Sequence, residues 1–257
     1  MKIRPATPND IPAVARVVLS ALSDETPWKA FFPHKPQADL AYVESCEAIL
    51  RTYLEPNNAA TWLFLVAEIS ARESKTNTGP IIVAAAVWDI STTFGPDEGG
   101  RSRRSSIYER LLNKSMETLE SYSSEQCDGA LGDGPVKLVA LSRAIVEGRK
   151  KHFSGHDPYV FLHLLATRPD HQKKGYAKAL CASGINVARQ RHASVCVFSG
   201  ARGYILFSGL GFVDNGRVDL PSEPGSYDVL IKAMLLDSRL VQRRGSILDS
   251  LMRYLTT

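Results

Sequence analysis

The stretch from Tyr159 to Arg191 constrains the fold more than any other part of the chain. It starts with an apolar run, Tyr159 to Ala166, interrupted only by His163. Such a run predicts a buried strand, and Pro169 ends it because proline cannot donate to a strand ladder. After a polar turn, small and apolar residues recur at helical spacing: Ala177, Leu180, Cys181, Gly184 and Ala188. The predicted unit is a strand, a tight basic turn and a helix.

The turn before this helix has the composition of an anion site. The first amides of a helix have no internal partner and lie at the positive end of its dipole. Gly175 and Ala177 leave room for a bulky anion, and Lys173 and Lys174 add positive charge. The turn therefore predicts a pyrophosphate site. Neither the Gly-Lys-Ser/Thr ending of a P-loop nor the three-glycine dinucleotide motif is present.

Three segments together resemble a known family. Gln172 to Ala177, QKKGYA, fits the Gln/Arg-x-x-Gly-x-Gly/Ala motif with which GNAT acetyltransferases hold the pyrophosphate of acetyl-coenzyme A. Leu165 to Gln172 is similar to the family's entry to that motif, and Gly203 to Phe212 to its Gly-x-x-Leu-Tyr-x-x-Leu-Gly-Phe ending. The alternative is a generic strand–helix unit with a glycine turn.

The resemblance implies the fold class. It is α+β, with a single mixed, mostly antiparallel sheet of about seven strands, splayed at the cofactor strand and covered by helices on both faces: the acyl-CoA N-acyltransferase fold. Residues 1–257 are interpreted as one such domain. Residues 91–157 form a loop and helical insertion, and residues 238–257 a C-terminal amphipathic helix that packs on the domain or on a second subunit.

Local patterns predict the individual elements. Strands are expected at 2–5, 63–69, 81–90, 159–166, 193–198, 212–218 and 229–235, the second and third as an antiparallel hairpin. Helices are expected at 11–22, 38–53, 107–122, 136–153, 177–191, 204–209 and 238–255, and a mobile loop at Phe94 to Ser106.

The resemblance also implies which residues hold the cofactor. The exposed edge of the cofactor strand, where pantetheine would bond as if it were a strand, is Leu165, Ala166 and Thr167. The pyrophosphate would lie on Gln172, Lys173, Lys174, Gly175, Tyr176 and Ala177, and Phe207 would lie at the thiol end. A backbone amide near Leu164 or Leu165 would stabilise the oxyanion. No metal is implied.

Two positions bear on proton transfer. His163 is the candidate base, since an unperturbed imidazole has a pKa of about 6.5; the alternative is a buried histidine satisfied by a hydrogen bond. The family often has tyrosine, the proton donor to the departing thiolate, where this chain has Phe207. Tyr204, one helical turn earlier, or water could substitute, and weak or absent activity is the alternative. Cys181 and Cys196 are interpreted as core residues and not as nucleophiles.

Composition limits the partners. A net charge of +4 is too weak to indicate nucleic acid by itself and suits a polyanionic cofactor. The four cysteines lack Cys-x-x-Cys spacing and the N-terminus lacks a signal-peptide core, which predicts reduced thiols in the cytoplasm or nucleus. The longest apolar runs are too short for a bilayer. Arg101, Arg103 and Arg104 are either a partner site or a solvated loop.

The sequence thus predicts an enzyme that moves acetyl from acetyl-coenzyme A to a small-molecule or peptide primary amine by direct attack. Trp28, Phe31 and Phe32 line the amine-binding mouth or simply pack in the core. One rival is a coenzyme A-binding regulator of the same fold without catalysis. The other is a nucleic-acid-binding or scaffold protein that uses the basic loop. The identity of the amine stays open.

Overall fold

The computed structural model describes residues 1–23, 38, 40–70, 80–91, 134–156, 158–218 and 231–240. Within them, seven strands form one mixed sheet in the order β1-β2-β3-β4-β5-β7-β6. Their bounds are β1 Lys2–Pro5, β2 Trp62–Ile69, β3 Ile81–Asp89, β4 Tyr159–Thr167, β5 Ser194–Ser199, β6 Val213–Val218 and β7 Ile231–Leu236. All neighbours pair antiparallel except β4 and β5, which are parallel. The predicted mixed, mostly antiparallel sheet is confirmed.

Five helices cover the two faces of the sheet in the described part of the chain. They are α1 Ile11–Leu22, α2 Leu40–Thr52, α3 Gly134–Phe153, α4 Tyr176–Gln190 and α5 Ala201–Gly209. Helices α1, α2 and α3 share one face, where they meet strand residues such as Val87 and Phe161. Helices α4 and α5 share the other, against Trp88 and Leu162. Among the described helices, none is long and apolar enough to cross a bilayer.

The start of α1 is fixed by an ion-pair cluster. Asp10 accepts hydrogen bonds from the Thr7 amide and hydroxyl at 2.7 and 2.8 Å, which caps the 3-10 turn Pro8–Asp10 that leads into α1. The Arg4 guanidinium lies 2.7 Å from Asp10 and 2.7 Å from Glu68. The hydrogen bond from Arg4 lowers the pKa of Asp10 to about 2. Strand β1, strand β2 and α1 are thereby tied together at one corner of the sheet.

Most predicted elements are confirmed, with ends that differ by a few residues. Helix α2 begins at Leu40 instead of residue 38, and α5 begins at Ala201, not at Tyr204. The earlier start of α5 follows from the turn at Gly200, whose extended backbone leads into the helix. The predictions for 94–106, 107–122 and 241–255 lie outside the described residues.

Helix α3, part of the predicted insertion, contributes directly to the core. Phe153 is fully buried and shares a cluster with Tyr159 and Phe161 of β4. Gly148 lets the helix approach closely, because a Cβ there would lie 3.0 Å from the ring of Phe198 and 3.0 Å from Val218. The described part of the insertion therefore covers the sheet beside the cofactor strand, and does not project from it.

Candidate active site

A slot opens in the middle of the sheet because β4 and β5 stop pairing. Their parallel register runs from Tyr159 opposite Ser194 only to Leu162 opposite Val197. Beyond that point β4 continues to Thr167 and keeps its other partner, β3. Residues 163–167 thus turn a backbone edge toward β5 that no described strand pairs with. The splay that the resemblance implied is confirmed, and this edge can accept an extended ligand.

A β-bulge at His163 lies where the slot begins. Leu162 pairs with Trp88 and Leu164 with Val87, so His163 is the extra residue on β4. The bulge reverses the alternation of β4: Leu162 packs on the α4 face, whereas Leu164 packs toward α1 and α2. The side chains of His163 and Leu164, consecutive residues, therefore both lie on the face of the sheet covered by α1 and α2. Bulges are frequent beside active sites because they redirect a side chain in this way.

An aromatic cage surrounds His163. The centroid of its ring lies 5.5 Å from those of Tyr53 and Trp62 and 6.5 Å from that of Phe161. Desolvation and the positive charge of Arg149 lower the pKa of His163 to about 4, against a smaller opposing effect of Asp89. The imidazole is therefore neutral at physiological pH, and it faces the slot from the α1–α2 side.

The positive charge beside His163 comes from a buried ion pair that the sequence did not reveal. Arg149 of α3 lies 2.7 Å from Asp89 at the end of β3, and both side chains are almost fully buried. The guanidinium carbon also lies 4.3 Å from the centroid of the Phe161 ring. Asp89 accepts two further hydrogen bonds from Ser91. The pair links α3 to β3 and fixes a cation under the site.

The loop that precedes α4 has the backbone of an anion nest. Lys173 and Gly175 both have positive φ, 60° and 87°, on either side of Lys174. Such alternation turns successive N–H groups toward one point. Gly175 is the N-cap of α4 and has no side chain to satisfy the first helical amides. Gln172 ties the loop to the strand, since its amide donates to the Thr167 carbonyl at 3.4 Å.

The space above this nest is open. A Cβ built on Gly175 would meet nothing within 4 Å, so a phosphate group could lie against the backbone. The first turn of α4 adds its dipole, and Lys173 and Lys178 line the same cavity. The loop therefore fits the pyrophosphate group that its sequence predicted.

One cavity of about 980 Å³ joins the nest, the slot and the face of α1 and α2. Most predicted site residues line it: His163, Leu165, Ala166, Thr167, Gln172, Lys173, Gly175, Tyr176, Ala177 and Phe207. Lys174 does not; its ammonium donates to the Asp170 carbonyl at 3.3 Å instead. The slot passes through the sheet, so the cavity opens on both of its faces.

The two candidate positions on α5 have different surroundings. Phe207 is buried, packs on Phe212 with a centroid distance of 5.3 Å, and lines the cavity. Tyr204 is 36% exposed and is not among the lining residues. The structure does not bring Tyr204 to the slot. The location of Tyr204 therefore gives no support to a role for its hydroxyl as the proton donor.

The wall formed by α1 and α2 was not identified from the sequence. Its lining residues are mainly apolar: Val18, Leu19, Ala21, Leu22, Tyr42, Ser45, Cys46, Ile49, Leu50 and Tyr53. Their helical spacing was visible but indicated only burial. Trp28, Phe31 and Phe32, the residues predicted for an amine mouth, lie outside the described residues.

The lowered pKa of His163 makes a prediction about stability. The unfolded chain, with a histidine pKa of about 6.5, binds the proton first as pH falls, so stability decreases from pH 6.5 toward 4. We expect His163 to account for a loss of about 2–3 kcal/mol in unfolding free energy between pH 7 and 4. Urea unfolding of wild type and His163→Phe over this range measures it. If the unfolding free energies of the two proteins fall by the same amount between pH 7 and 4, the imidazole is not desolvated in the folded state.

Comparison with known proteins agrees with this geometry. The sequence model of the acetyltransferase (GNAT) family matches residues 110–205, a range that includes β4, the nest and α4. A histone acetyltransferase HPA2 and related acetyltransferase from Corynebacterium glutamicum is 19% identical, with a TM-score of 0.51 over 92% of this chain and 95% of that one. SsHAT is 13% identical, with a TM-score of 0.53 over 92% and 98%. The search of curated proteins found no match.

Because these solved structures are only 19% and 13% identical to this chain, their similarity establishes the fold alone. The splayed seven-stranded sheet with its slot is that of the acyl-CoA N-acyltransferases. Within that fold, residues 110–205 match the sequence model of the acetyltransferase (GNAT) family, the family that the motifs resemble.

Proposed function

We propose that the protein transfers the acetyl group of acetyl-coenzyme A to a primary amine by direct attack in a ternary complex. The observation that carries the proposal is the meeting of three features in one cavity. These are the unpaired edge of β4, the open nest at Gly175, and the bulged His163. The β4 edge and the nest fit the two ends of an extended, anionic thioester. His163 lies where the slot meets the wall formed by α1 and α2.

Each part of the cofactor has matching groups in the chain. The amides that open α4, with Lys173, would hold the pyrophosphate. The edge formed by Leu165, Ala166 and Thr167 would bond to the pantetheine amides as a strand does. When bound, acetyl-coenzyme A would supply an activated acetyl thioester. A backbone amide near Leu164, beside the bulge, is the candidate donor to the developing oxyanion.

His163 acts, in this proposal, as a neutral acceptor and not as a strong base. Its pKa of about 4 lies about six units below the 10.4 of an alkylammonium, so taking that proton would cost about 9 kcal/mol. The amine must therefore arrive already deprotonated. The imidazole then orients it and accepts the more acidic proton that develops on nitrogen after attack.

Thiolate protonation does not involve Phe207, which has no proton to give. With Tyr204 outside the cavity lining, water or the proton released by the amine is the proposed source. Cys46 and Cys181 do not serve as acyl carriers, because burial raises the pKa of each thiol to about 12. Among the described residues Cys46, Cys181 and Cys196 form no disulfide, which supports the cytoplasm or nucleus as the proposed compartment.

A second candidate, a coenzyme A-binding regulator without catalysis, is favoured by one observation. The lining residue where the family often has tyrosine is the buried, apolar Phe207. The two proposals differ only in turnover, since both require the nest and the open edge.

Two measurements on the purified chain test these proposals. Titration calorimetry with acetyl-coenzyme A tests binding, and a thiol-detecting assay with a panel of primary amines tests transfer. Binding together with amine-dependent thiol release is expected. Binding without release for any amine would favour the regulator. If acetyl-coenzyme A does not bind at all, both proposals fail.

Restoring the missing hydroxyl should raise turnover. Phe207→Tyr adds one proton donor at the cavity wall, and we expect kcat to rise about tenfold or more, with little change in cofactor affinity. Tyr204→Phe is the matched control, because it removes a hydroxyl from the same helix outside the cavity lining, and it should leave kcat unchanged. A large loss in Tyr204→Phe would instead identify Tyr204 as the donor.

A further inference from the structure

We propose that the acceptor is a primary monoamine on an apolar body, and that it binds against the wall formed by α1 and α2. This inference rests on the proposed function. We call this half of the cavity the acceptor chamber and define it by Leu19, Leu22, Cys46, Ile49, Leu50 and Tyr53. It lies on the face of the sheet to which the bulge turns His163, opposite the face that carries the nest.

The charges around the cavity argue against a second ammonium group. No described residue that lines the cavity is an aspartate or glutamate. Its lysines and arginine, Lys173, Lys178 and Arg202, belong to the nest and to α4 and α5, at the cofactor end. A buried charge without a counter-charge is strongly unfavourable. A diamine or polyamine would leave its second ammonium in the acceptor chamber without an anionic partner from these residues.

The surface of the acceptor chamber favours an apolar substituent. Its side chains are mostly aliphatic, and burial holds the thiol of Cys46 in its neutral form. Tyr53 and the neutral His163 meet edge to face and continue this surface to the slot. An aromatic or branched aliphatic body would bury its own apolar surface here, while its amine nitrogen would reach the imidazole.

Ligand preference can be measured without turnover. The chain is saturated with coenzyme A, which lacks the acetyl group, and is titrated at pH 8 with 2-phenylethylamine or with putrescine. These probes share a primary amine and differ in the second charge. We expect 2-phenylethylamine to bind at least about tenfold more tightly. Equal or tighter binding of putrescine would overturn the inference.

A variant that adds a negative charge and shifts the ligand preference toward the diamine would locate the amine site. Ser45 of α2 lines the cavity next to Cys46 of the acceptor chamber and is half-buried, so a polar residue already occupies this position. Ser45→Asp should supply the missing counter-charge and move the preference about tenfold or more toward putrescine. Ser45→Asn is the matched control of the same size without charge, and it should keep the wild-type preference. If folded Ser45→Asp behaves as Ser45→Asn does, the amine does not bind in this chamber.

Failure of the inference can be told apart from failure of the proposed function. Selective binding of 2-phenylethylamine without thiol release from acetyl-coenzyme A would support the acceptor chamber and contradict the transferase. Thiol release that is faster with putrescine than with 2-phenylethylamine would support the transferase and contradict the inference.

Discussion

Replacement of Gly175 by glutamate should abolish binding of acetyl-coenzyme A, with a loss of at least about 100-fold in affinity. The backbone at Gly175 has φ of 87°, and its missing side chain leaves the space above the nest empty. Glutamate fills that space and adds a carboxylate at the N-terminus of α4, where an anion of the ligand should lie. Titration calorimetry on the folded variant measures the effect.

Two controls separate charge from strain. Gly175→Ala introduces the strained left-handed residue, at a cost of about 1–2 kcal/mol in stability, without the carboxylate. It should therefore bind much better than Gly175→Glu. Gly209→Glu adds the same carboxylate at the end of α5, where a Cβ also meets nothing within 4 Å, but away from the cavity. It should bind as wild type does. If Gly175→Glu folds and keeps wild-type affinity, the pyrophosphate does not lie on this nest.

The nest could be predicted from the sequence because its chemistry is local. A glycine after two lysines, at the start of an amphipathic helix, determines the backbone, the charge and the dipole within six residues. The pairing of β2 with β3 was also predicted, because two strand patterns joined by a short polar turn favour a hairpin, and the splay at β4 was implied by the family that the motifs resemble. Interactions within a few residues along the chain need no knowledge of the tertiary structure.

The surroundings of His163 could not be predicted for the opposite reason. The bulge adds one residue to β4 against β3, and an unbroken apolar run gives no sign of it. The ion pair of Arg149 with Asp89 joins residues 60 positions apart. The bulge turns the imidazole toward the slot, and Arg149 helps to lower its pKa. The residue that the sequence offered as a candidate base is therefore less basic in the structure than a free histidine.

Tyr204 shows how a small angular difference matters on a helix. Residues three apart differ by about 60° around the axis. On α5 this rotation separates Phe207, which is 3% exposed, from Tyr204, which is 36% exposed. Sequence spacing alone indicated that one could replace the other. The packing of α5 on the sheet decides that, of these two residues, only Phe207 lines the cavity.

Substitution of Gly184 by valine should destabilise the protein by about 3 kcal/mol or more. Gly184 is in the interior of α4, where glycine costs about 1 kcal/mol relative to alanine, so the sequence accepts a penalty at this position. The reason is contact: a Cβ on Gly184 would lie 2.2 Å from the ring of Trp88, the largest fully buried side chain of the core. Neither group can move without displacing the helix from the sheet.

Urea unfolding of Gly184→Val tests this packing, with two comparisons that isolate the clash. Ala182→Val, at an exposed position of the same helix, should cost only the lower helix propensity of valine, about 0.5 kcal/mol. In a Trp88→Leu background, Gly184→Val should cost much less than it does in wild type, because the ring that it meets is gone. Equal costs in both backgrounds would mean that the contact with Trp88 does not limit the approach of α4. The N-terminus of α4 forms part of the nest, so a clash that displaces this helix should also distort the nest. Under conditions where Gly184→Val is still folded, we therefore expect it to bind acetyl-coenzyme A more weakly than wild type does.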